Sequence, residues 1–67
     1  MKNLLEIKNE NRGDLTTFLN REIFNNESRL FGTLESIIMD ENYANFQSYG
    51  DEYPVTIELN ELFLIEN

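Results

Sequence analysis

Polar and apolar residues alternate most cleanly late in the chain. Tyr53, Val55, Ile57 and Leu59 fall on one side and Pro54, Thr56 and Glu58 on the other, the period of a half-buried strand. Pro54 has no amide hydrogen to donate, which places it at the strand's start or on a sheet edge. Upstream, residues 29–39 are rich in β-branched and aromatic side chains. Leu30, Gly32 and Leu34 share one face there, and the pattern slips at Ile37-Ile38, predicting a bulge or strong bend. Asp40-Glu41-Asn42 and Gly50-Asp51-Glu52 have turn chemistry and bracket a less apolar strand, Tyr43–Tyr49, expected at an edge. Asn60-Glu61 punctuates the chain before a short closing strand, Leu62–Ile65.

The first half has two competing readings. Asp14 suits an N-cap, and Leu15, Phe18, Leu19 and Ile23 follow helical spacing, predicting a helix from about Asp14 to Phe24. Alternatively, Leu4–Lys8 and Leu15–Phe24 are two strands of a hairpin around Glu10-Asn11-Arg12-Gly13. Asn25-Asn26-Glu27-Ser28 is a turn in either case. The predicted fold class is α+β or mostly β: a small, strongly bent antiparallel sheet of three to five strands with one N-terminal helix. Residues 1–67 form one domain, with 1–13 expected to be flexible.

Charge changes the picture more than composition does. The 67 residues carry a net charge of −8. All five basic residues (Lys2, Lys8, Arg12, Arg21 and Arg29) lie in the first 29 positions, where five acids balance them. Residues 30–67 hold eight acids and no Lys or Arg, so the whole excess sits there. Like charges oppose the compact state, and the cost is matched by a gain in solubility or in recognition. A surface of this sign does not neutralise phosphates, which excludes ordinary nucleic-acid binding.

The chain contains no Cys and no His, which removes thiol nucleophiles, imidazole bases and the usual zinc ligands. Ser28, Ser36 and Ser48 lack a His to activate them, so no enzymatic activity is expected. An EF-hand count from Asp40 fails, because Ala44 cannot ligate and Asn45 replaces the required glycine. Neither cofactor nor metal is expected. Arg12-Gly13-Asp14 and Asn26-Glu27-Ser28 match adhesion and glycosylation patterns, but both read as ordinary turns. No apolar run reaches the length of a signal peptide or membrane span, so the expected location is cytoplasmic, without membrane attachment. Most of the eight aromatic rings are assigned to the core. Tyr43 and Tyr49 flank the acidic turns and are expected to be partly exposed, as tyrosines at interfaces are.

The run Leu30-Phe31-Gly32-Thr33-Leu34, the turn with Asp40 and Asn45, the strand Tyr53–Leu59 and the closing Leu62–Ile65 resemble the small SH3-like and Sm-like barrels. In Sm-like RNA sites the Asp and Asn follow the glycine more closely, and an Arg-Gly pair lies near the end. No Arg follows position 29 here, so the resemblance extends to the fold and not to RNA binding. In type, the chain also resembles phage-encoded DNA mimics, small acidic proteins that occupy the DNA-binding surface of host proteins. That resemblance implies a basic, DNA-binding host protein as partner, inhibited through Glu35, Asp40, Glu41, Tyr43, Tyr49, Asp51, Glu52 and Glu58. Such hosts include nucleoid-associated, restriction, repair and CRISPR proteins. The alternative is an interaction or assembly module whose acidity serves solubility. Homodimerisation through an edge strand fits either reading.

Overall fold

Each strand of the sheet exists because one of its faces has apolar neighbours to cover. The computed structural model describes residues 2–10 and 15–65. After a helix α1 (Leu4–Glu10) and a 3-10 turn (Thr16–Phe18) come five strands: β1 (Glu22–Asn25), β2 (Leu30–Ile38), β3 (Tyr43–Ser48), β4 (Val55–Glu58) and β5 (Leu62–Leu64). They form one antiparallel sheet in the order β4-β3-β2-β1-β5, an α+β arrangement that is not closed into a barrel. Two further 3-10 turns, Met39–Glu41 and Leu59–Glu61, join β2 to β3 and β4 to β5.

Alternation within each strand sends Ile23, Leu34, Ala44, Phe46, Leu62 and Leu64 to one face, where Leu4, Leu15 and Leu59 complete the core. Helix α1 lies against the last 3-10 turn and β5, and Leu4 is fully buried. Its start is specified locally. The Asn3 side-chain oxygen accepts from the Glu6 backbone amide at 2.9 Å, an N-cap, and the Asn3 side-chain amino group donates to the Glu6 carboxylate at 3.5 Å. A helix of seven residues is marginal in water, so burial of Leu4 with Leu5 and Ile7 against the core holds it in place.

Several expectations are corrected. No helix spans 15–24: Asn20 adopts the left-handed conformation at φ 67°, which ends the 3-10 turn, and residues 22–25 form a strand paired on both sides. Two ladders of backbone hydrogen bonds outweigh the weak helix propensity of a stretch containing Thr16, Thr17, Ile23 and Phe24. The hairpin reading fails at its first arm, since Leu4–Glu10 is helical. The cap expected at Asp14 lies outside the described residues. Tyr43–Ser48 is an interior strand between β2 and β4, so β4 is the edge. The bulge falls between Leu34 and Ser36, slightly before the pattern slips.

Burial differs too. Val55 and Ile57 do point to the core face, beside Phe46 and Ala44, but the edge position leaves Val55 49% exposed, and Tyr53, before the strand, is 76% exposed. Among the aromatic rings only Phe46 is fully buried. Phe24, Phe31 and Phe63 are cross-strand neighbours on the outer face, with Phe24 and Phe31 ring centroids 5.0 Å apart.

Candidate functional site

The acidic and tyrosine positions singled out above separate into two groups at opposite ends of β3. Five residue steps in an antiparallel strand put those ends about 17 Å apart. The near end contains Asp40 and Glu41 on the 3-10 turn, Tyr43 at the start of β3 and Glu58 directly across from it on β4. The far end contains Tyr49, Asp51 and Glu52 in the β3–β4 connection. Glu35 stands apart on the β2 bulge, exposed. The six acids thus do not converge on one spot.

Both ends are built by local hydrogen bonds. At the near end Asn42 is left-handed (φ 60°), and its carbonyl accepts from the Leu59 amide at 2.9 Å, tying the β2–β3 turn to the end of β4. Lys8 of α1 donates to the Asn42 side-chain oxygen and brings a cation to this end. Between Glu41, Tyr43 and Glu58 lies an open depression of about 200 Å³. At the far end the Gln47 side-chain amide donates to the carbonyls of Ser48 (3.0 Å) and Asp51 (2.6 Å), while the Gly50 amide donates to the Ser48 hydroxyl at 3.3 Å. The loop carrying Asp51 is thereby pinned to β3.

Sequence reasoning missed a groove at this far end. It has a volume of about 390 Å³, with Phe46 and Ser48 of β3 among its lining residues, Asn25 and Leu30 from the β1–β2 hairpin, and Val55 and Ile57 from β4. Glu27 and Asp51 also line it. Asn25 is almost fully buried, and its side-chain oxygen accepts from the Glu27 amide at 3.0 Å, which holds the turn at the groove's rim. Arg29, in the same turn, points elsewhere: its guanidinium lies 5.4 Å from the centre of the Phe24 ring on the outer face and donates to Asn26. Turn residues at 25–28 were legible in the sequence, but their meeting with 46–57 depends on strand order and carries no local signal.

Tyr49 is 63% exposed, and its hydroxyl donates to Glu22 Oε2 at 3.3 Å. Its pKa is raised above the ordinary tyrosine value, first by reduced hydration against the sheet, then by the Glu22 charge and the hydrogen bond. Across the outer face Thr56 donates to Asn45 and Asn45 to Ser36, each at 2.8 Å, a polar ladder linking three strands. Among the described residues no three acids are grouped as metal ligands would be. Nor is any helix among them long and apolar enough to cross a membrane. What these groups offer chemically is fixed negative charge beside an apolar groove. Comparison with protein families, curated proteins and solved structures finds no match to this chain.

Proposed function

We propose that this chain is a non-enzymatic binding protein that inhibits a basic, DNA-binding protein by offering carboxylates where phosphates would lie. The observation that carries this reading is the placement of exposed acids at both ends of one strand. Asp40, Glu41 and Glu58 lie at one end and Asp51 and Glu52 at the other, in a half of the chain that has no Lys or Arg. A separation of about 17 Å matches roughly five nucleotides of rise along a DNA strand. Carboxylates carried on turns whose backbone is tied to the sheet stay at set places along it, and they steer association with a cationic surface. A cytoplasmic setting, with the target a nucleoid-associated, restriction, repair or CRISPR protein of a phage's host, fits this reading.

A second reading, an assembly module whose charge serves solubility, is favoured by the open β4 edge with Tyr53 and Val55 exposed. Salt separates the two. The chain is added to complexes of duplex DNA with each of a panel of such basic proteins, and DNA release is followed between about 50 and 200 mM salt. Mimicry predicts release that weakens steeply with salt and is abolished when Asp40, Glu41, Asp51 and Glu52 are all changed to Lys in a chain that still folds. Release by the Lys-substituted chain, or no release from any member at low salt, overturns it.

A further inference from the structure

The far-end groove and the open edge of the sheet are one feature. β4 hydrogen-bonds to β3 on one side, and among the described residues no strand covers its other side, whereas β5, at the opposite edge, is bridged by Asn3 to Phe63. Uncovered edges are ordinarily blunted by shortness, by Lys or Pro, by a bulge or by inward charges. This edge is four residues long with Pro54 ahead of it, but from Tyr53 to Ile57 it has no charged residue and no bulge. Val55 and Ile57 point into the groove, while Thr56 and Glu58 take the outer face.

We infer that β4 receives an extended segment of the partner by strand addition, and that this segment alternates apolar with cationic side chains. A strand laid beside β4 places every second side chain on the groove side, next to Val55 and Ile57, and the others on the outer side near Glu58. The exposed Glu58 carboxylate on the outer face makes cationic side chains the complementary ones at those alternate positions. A second copy of the chain would bring another net charge of −8 to the same edge, which opposes self-pairing. The inference rests on the partner being basic, as proposed above, and adds the mode by which it is gripped.

The probe is a fluorescent Lys-Val-Lys-Val-Lys-Val peptide titrated with the full chain by fluorescence polarisation. Two N-methylated forms accompany it, one methylated on the Lys amides and one on the Val amides. A strand paired along only one side has alternate amides facing its neighbour, so one form loses at least about tenfold in affinity and the other binds as the parent does. Val55→Asp is expected to weaken the parent peptide about tenfold although it adds a negative charge; simple Coulomb attraction predicts the opposite sign. Equal behaviour of the two methylated forms, tighter binding by Val55→Asp, or a chain that dimerises and ignores the peptide overturns the inference. DNA release without the one-sided methylation effect removes strand addition and leaves mimicry standing. The one-sided effect without DNA release from any protein does the reverse.

Discussion

Gly32 on β2 stands so close to Gln47 on β3 that a methyl group in place of its hydrogen would lie 2.0 Å from the Gln47 carbonyl oxygen and 2.9 Å from the Phe46 ring. The oxygen belongs to the backbone of an interior strand and cannot swing aside. Gly32→Ala therefore forces β2 and β3 apart at the centre of the sheet. Overpacking of this kind typically costs about 1–3 kcal/mol, and more where the obstructing atom is backbone, a large share of the roughly 3–10 kcal/mol total for a chain of this length. The expected result is a urea midpoint far below the parent's; native-like urea unfolding of the variant would contradict the packing.

Helix α1 depends on its cap and on one buried side chain. Asn3→Ala removes the acceptor for the Glu6 amide and should cost about 1 kcal/mol. Leu4→Ala leaves a cavity beneath the helix, at a cost of about 2–5 kcal/mol. Urea midpoints of the two variants should fall in that order below the parent. A Leu4→Ala midpoint equal to the parent's would mean that the helix does not pack on the core.

The strands after residue 29 were legible because each alternates apolar with polar residues and has turn residues near its ends. The slip at Ile37-Ile38 announced a bulge, and Asp40-Glu41-Asn42 announced the turn. Before residue 30 the same logic failed, because β1 is only four residues long and paired on both sides, while the helix has seven residues. Helical spacing of Leu15, Phe18, Leu19 and Ile23 was accidental: Leu15, just before the 3-10 turn, and Ile23, on β1, enter one core from different segments. Asn3 and Glu6 carried the true helix signal, a cap followed three residues later by a carboxylate. Where the acids lie could be read from the turns, but the groove could not, since it joins residues whose proximity depends on strand order.

Tyr49 and Glu22 supply a test at high pH. The folded state holds the tyrosine hydroxyl protonated above its ordinary value of 10.0. Stability from this group is therefore complete below that value and is lost as pH rises through the higher folded one. Glu22→Gln removes the negative neighbour, so the Tyr49 phenolate should form at lower pH. The shift is read by ultraviolet titration of a Tyr43→Phe, Tyr53→Phe background. An unchanged titration would mean that the hydroxyl does not sense Glu22.

Salt should stabilise the chain. Eight acids without a basic residue occupy positions 30–67, and their mutual repulsion opposes compaction. Raising sodium chloride from about 0.01 to 0.15 M shortens the screening length from about 30 to 8 Å, less than the roughly 17 Å between the two ends of β3. Relief of about 1 kcal/mol would raise Tm by about 4–8 °C. Changing Asp51 to Asn together with Glu52 to Gln should raise Tm at low salt and flatten its dependence on salt, because repulsion from the far end is then already reduced. Calorimetry of parent and double variant across the salt series measures both effects. If the parent's Tm ignores salt, the exposed carboxylates are already neutralised within the fold, and the surface offered to a cationic partner is weaker than its sequence implies.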